Sequence, residues 1–129
     1  MSGRPGVLLF AHGARDPNWA RPFQAVAERV RALRPDAQVR LAFLELMSPD
    51  LATAGAELAA AGCDAITVVP LFLGAGGHVR KDLPALAQML ETAHPGLRVT
   101  LAGAVGEHPG VIAALADAAA APILPSSTP

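Results

Sequence analysis

Four short apolar runs constrain this chain more than any other feature: residues 7–11 (VLLFA), 39–44 (VRLAFL), 65–72 (AITVVPLF) and 99–102 (VTLA). Each is short for a helix; the first is continuously apolar, as a strand buried on both faces requires, and the third is rich in β-branched residues, with Pro70 expected near its end. The stretches between them read as helices. Asp16-Pro17 is a helix-start signal, since Asp accepts from free backbone N–H groups and Pro suits the first turn. The helix it opens runs to about Arg34, where Pro35 ends it, and its Phe23, Val26, Ala27, Val30 and Leu33 recur at helical spacing as a core face. Ser48-Pro49 repeats the signal before a helix over residues 50–61, which Gly62 terminates. A glycine-rich segment, Gly74 to Gly77, follows the third run and leads into a helix reaching about Thr92. Pro84 fits that helix only in its first turn, so residues 78–81 are expected to be loop or a short irregular turn. An alanine-rich helix over residues 111–121 comes last.

Strands alternating with helices imply parallel pairing through right-handed crossovers. The expected fold class is therefore α/β: one domain over residues 1–121, with a four-stranded, mainly parallel sheet and helices on both faces. Residues 122–129 (PILPSSTP) carry three prolines without periodicity and read as a disordered tail.

Composition excludes several roles. A chain of 129 residues, 52% hydrophobic, can bury a core without cross-links. The single cysteine, Cys63, cannot form an intramolecular disulfide and reads as a small buried hydrophobe in a reducing, cytoplasmic setting. The first apolar run reaches a histidine too soon for a signal peptide, and none approaches the ~18 residues of a membrane span. Net charge is −1 with 10 scattered basic residues, which argues against a nucleic-acid partner. Aromatic residues make up 4%, without tyrosine, so stacking would rest on Trp19 and four phenylalanines, and Trp19 reads as packing or interface.

In open α/β sheets ligands bind beyond the carboxyl ends of the strands, where loops converge and helix N-termini point. His12, Glu45, His78 and His108 all fall there. Two neutral imidazoles and a carboxylate from separate loops suit a borderline divalent metal such as Co²⁺, Fe²⁺, Ni²⁺ or Zn²⁺. So few protein ligands leave positions open for transfer of the ion.

Residues 9–17 (LFAHGARDP), 42–45 (AFLE) and 69–79 (VPLFLGAGGHV) resemble the short sirohydrochlorin chelatases of the CbiX type, and the likeness extends over residues 6–120. Three motifs in one order, each at a strand end, make it specific. The resemblance implies insertion of a divalent metal (cobalt, iron or nickel) as substrate into sirohydrochlorin or a related tetrapyrrole, for cobalamin or sirohaem, without ATP or an organic cofactor. It maps the two metal-site histidines onto His12 and His78 and the strand-end glutamate onto Glu45, as third ligand or as acceptor of a pyrrole proton. Ala14 stands where many members have serine, which removes a hydroxyl but no ligand. Short members are expected to pair as homodimers. Arg15, Arg80 and Lys81 adjoin the motif histidines and would grip substrate carboxylates, while Gly76 and Gly77 would let backbone N–H groups approach the ring.

Plainer readings stand beside these. His12 could be a strand-end histidine bonded to a carbonyl, His78 a helix cap, Glu45 a solvated carboxylate, and Arg80 and Lys81 solvated charges. Asp16 reads as a cap, His94 as a helix-end residue and His108 as loop structure before Pro109. The rival functions are a non-catalytic metal or tetrapyrrole carrier and a histidine-phosphatase-like enzyme. The latter usually shows Arg-His-Gly, and here Ala11 precedes the histidine.

Overall fold

In a computed structural model, which describes residues 3–74 and 76–126 and every side chain among them but that of His78, the four apolar runs are the strands of one sheet. These are β1 (Arg4–Ala11), β2 (Gln38–Phe43), β3 (Cys63–Pro70) and β4 (Arg98–Leu101), paired in parallel in the order β2-β1-β3-β4. The helices are α1 (Arg21–Leu33), α2 (Leu51–Ala60), α3 (Gly77–Ala93) and α4 (Pro109–Ala120). Residues 122–126 are exposed and carry no helix or strand, and the rest of the expected tail, 127–129, lies outside the described residues.

The two-residue period of β1 divides the core. Leu8 and Phe10 point to one face, where Leu58 of α2 and Leu83 and Leu90 of α3 meet Ile66 and Val68 of β3. Leu9 points to the other, against Val39 of β2 and Ala27 and Val30 of α1. Leu8 and Leu58 are wholly buried, each contributing about 1.5–3 kcal/mol over an exposed position. Helices α2 and α3 thus cover one face, and α1 covers the β1–β2 half of the other. Helix α4 has no buried residue and packs chiefly on a short 3-10 turn before it, Val105–Glu107.

Three expectations need correction. The helix expected from Asp16 is split: a 3-10 turn, Pro17–Ala20, capped by Asp16, precedes α1. Pro22 has no N–H for the Asn18 carbonyl, which takes the N–H of Arg21 instead. Helix α2 is capped by Asp50 rather than Ser48, with the Thr53 amide donating to Asp50 Oδ1 at 2.8 Å. Residues 78–81 are helical, and Pro84 lies inside α3, beyond its first turn. The helix persists because Leu83 and Leu90, on either side of the missing bond, are anchored in the core. Cys63 is the first residue of β3, and burial pushes its thiol pKa up.

The sheet outlasts its strands on the carboxyl side, and this places the rim. Past β1 and β2, the amide of Leu44 donates to the Ala11 carbonyl at 2.9 Å and that of Glu45 to His12 at 3.1 Å. Gly13, at φ +97°, lies so close that any Cβ would overlap the Glu45 carbonyl oxygen. Past β3 and β4, Leu71 donates to Phe10 at 2.8 Å and Gly106 to Phe72 at 2.9 Å, and a Cβ on Gly106 would overlap the Leu73 backbone. Gly106→Ala is expected to lower the urea unfolding midpoint by the equivalent of about 1–3 kcal/mol. Gly103→Ala, whose added methyl meets nothing within 4 Å, is the control and should change little. Equal midpoints for the two variants would show that this contact does not hold the rim.

Candidate metal site at the strand ends

From β1 the chain moves to β2 on one side and then crosses to β3 on the other, so the connections after β1 and β3 part in opposite directions. That divergence opens the crevice where α/β sheets hold ligands. His12 is the first residue after β1, Glu45 lies two residues past β2, and the loop after β3 runs into α3.

The structure brings His12 and Glu45 together. His12 Nε2 stands 3.7 Å from Glu45 Oε1, with the side chains 52% and 56% exposed. The spacing is too long for a hydrogen bond. It is close to the ~3.4 Å that separates a nitrogen and an oxygen bound tetrahedrally to one ion at about 2.0–2.2 Å. The imidazole rests edge-on against the Phe72 ring, centroids 5.9 Å apart, and Phe72 in turn packs on Phe10. Ring and carboxylate therefore stand on anchored backbone with their polar ends in solvent.

His78 is the second residue of α3, in the turn that follows Gly76 and Gly77, and its side chain lies outside the described residues. Among the described residues no group of three or more His, Cys, Asp or Glu could hold a metal. Gly76 is the N-cap of α3 and its carbonyl accepts from the Arg80 amide at 2.9 Å. Added methyl groups at Gly74, Gly76 and Gly77 would meet nothing within 4 Å, so the segment is open on its outer side. Arg15 and Lys81 are exposed. Arg80 is not free: its Nη2 donates to Glu107 Oε1 at 3.2 Å, which ties α3 to the turn after β4.

Sequence reasoning missed Glu107 and Phe72. Glu107 gave no signal, being 27 residues from its partner; Phe72 was visible only as the last residue of the third apolar run. The structural readings of the other histidines hold. His108 caps α4, its Nδ1 accepting from the Gly110 amide at 2.9 Å, and His94 is the C-cap of α3. Trp19 packs on Phe23 with ring centroids 4.5 Å apart.

The chain has clear relatives. The sequence profile of the CbiX family matches residues 6–121. A sirohydrochlorin cobaltochelatase of Methanosarcina acetivorans is 32% identical over 91 residues, 70% of either chain. One from Saccharolobus solfataricus is 40% identical over 81 residues, 63% of this chain and 62% of its own length. The crystal structure of a CbiX protein from Marinobacter aquaeolei VT8 superposes with a TM-score of 0.77 at 36% identity, covering 89% of this chain and 93% of that one. The sirohydrochlorin chelatase SirB of Bacillus subtilis, solved with cobalt, shares the fold at a TM-score of 0.72 and 24% identity. The match covers 79% of this chain but 44% of SirB. Matched over nearly all of its sheet and helices, the chain belongs to the CbiX family.

Proposed function

We propose that this protein inserts a divalent metal, cobalt first among cobalt, iron and nickel, into sirohydrochlorin or a closely related tetrapyrrole, without ATP or an organic cofactor. The observation that carries the reading is the His12–Glu45 pair, held at nearly the separation of two ligands on one ion at the mouth of the crevice. The names of the cobaltochelatase relatives supply the substrate.

Insertion demands that the ion lose water, that two pyrrole protons depart and that the ring meet the metal. A neutral imidazole at His12 replaces one water of the incoming ion, and His78, from the α3 N-terminus, replaces another. Glu45 either completes the set or takes a pyrrole proton. The exposed Arg15 and Lys81 would donate to ring carboxylates, as would Arg80 once a ring carboxylate replaces its Glu107 partner. We assign the chemistry to the cytoplasm, a reducing setting that suits the buried free thiol of Cys63.

A homodimer is part of the proposal. The site is open on its outer side, and the shared fold covers 44% of SirB. Helix α4 exposes Ile112 and Leu115, and a largely apolar groove of about 880 Å³ lies over the half of the sheet that α1 leaves bare, lined by Val30, Leu33, Val69, Val105 and, from the start of α4 itself, Val111. Helix and groove are suited to each other between two copies.

Purified protein with excess sirohydrochlorin and Co²⁺ should form more metallated ring than protein present, and His12→Ala and His78→Ala should each lose at least tenfold in rate. Stoichiometric binding without turnover would favour the carrier. Arg15→Ala with Arg80→Ala should raise KM for the ring severalfold while leaving cobalt affinity unchanged; an unaltered KM would remove both arginines from the pocket. In sedimentation the protein should be dimeric and Leu115→Asp monomeric. A fully active wild-type monomer would end the dimer reading.

A further inference from the structure

Two leucines on the rim are exposed without an explanation from folding. Leu46, next to Glu45, is 59% exposed, and Leu73, next to Phe72, is 70% exposed. Both belong to segments held firmly by backbone contacts. Leu46 has φ +66°, the left-handed region that disfavours residues bearing a Cβ and where glycine or asparagine is at home. The amides of Glu45 and Met47, on either side, donate to the carbonyls of His12 and Glu45 at 3.1 and 2.8 Å and hold the bend. The bend sends Met47 inward against Phe43 and Ala20 and turns Leu46 out. In the loop after β3 the pattern repeats: Phe72 is buried against Phe10 and His12, while Leu73, its backbone pressed by Gly106, stands in solvent.

Each loop thus pairs an anchored inner residue with an exposed leucine, and the two loops belong to the neighbours of β1 on either side. The ends of β2 and β3 lie two strand spacings apart, roughly 10 Å, with His12 between them. An outward leucine in a left-handed bend is costly to the fold twice over, through backbone strain and exposed apolar surface. Such costs persist where a ligand uses them. A flat ring with apolar faces and an anionic edge fits: aliphatic side chains touch the face, and the exposed Arg15, three residues past His12, and Lys81, in the first turns of α3, are cations for the edge. The geometry points to Leu46 and Leu73 as the apolar jaws that hold the tetrapyrrole over the His12–Glu45 pair, as specificity-determining contacts. This rests on the tetrapyrrole reading above.

The test measures metal-free sirohydrochlorin binding by visible absorbance, steady-state KM, the dimer fraction and the urea midpoint for wild type, Leu46→Asn, Leu73→Ser and Leu73→Met. Leu46→Asn should bind the ring about tenfold more weakly, with an unchanged or higher midpoint because asparagine tolerates the bend. Leu73→Ser should weaken binding similarly, and Leu73→Met should restore it. Cobalt affinity should stay constant throughout. Ring affinity within twofold of wild type in both polar variants, or weaker binding that merely tracks lost stability, would overturn the assignment. A reduced dimer fraction without ligand would give the leucines to the subunit interface and overturn it as well. Wild type that binds the ring without turnover would fail the chelatase reading while leaving the jaws measurable. Wild type that does not bind the ring would sink both.

Discussion

Everything at the rim hangs on the double pairing of β1. Its neighbours β2 and β3 satisfy its backbone on both edges, and its side chains are buried alternately against α2 and α3 or against α1. A slip of one residue would carry Leu8 and Phe10 to the wrong face and Leu9 with them, so the register is closely specified. His12, the next residue after the strand, inherits a set height and direction. Because the ladder continues past the strand ends, Glu45 is drawn to His12 on one side and Phe72 on the other. A side chain half in water can thereby be as well placed as one in the core, since its position is determined by backbone that is itself immobilised.

The sheet was legible because its signal is local: the first run is apolar throughout, as a strand buried on both faces must be, and the other three runs are interrupted only by Arg40, Thr67 and Thr100. The helix ends were less so. Asp16 was read correctly as a cap, but Pro22, six residues on, divides the helix, and Asp50 takes the role expected of Ser48. Pro84 shows why propensity alone misleads. The lost hydrogen bond is a local cost, while the burial of Leu83 and Leu90 that outweighs it depends on strands elsewhere in the chain.

The site divides in the same way. His12 and Glu45 were recoverable from the rule that ligands gather beyond strand ends, and their pairing follows from β1 and β2 being neighbours. The demand for glycine at 13 and 106 arises from backbone approaching backbone across 32 and 33 residues of sequence, which no local pattern encodes. Leu46 is the hardest case: nothing in the run FLELM says that the second leucine adopts a conformation leucine avoids.

A protein that delivers a metal faces a limit that a structural metal site does not: it must hold the ion less firmly than the receiving ring. Imidazole and carboxylate on an open edge meet that limit, because neither forms the closed, thiolate-rich cage that retains zinc. The chain does own a thiol, and its location bears on the argument. Cys63 begins β3 while Pro70 ends it, so the sulfur sits at the opposite edge of the sheet, roughly 23 Å from the rim at a strand's rise per residue. Burial there raises its pKa and keeps it protonated, and a protonated thiol is a poor ligand. With that thiol remote and protonated, a metal held as proposed between His12 and Glu45 would meet nitrogen and oxygen donors there, with bonds labile enough for a tetrapyrrole to displace.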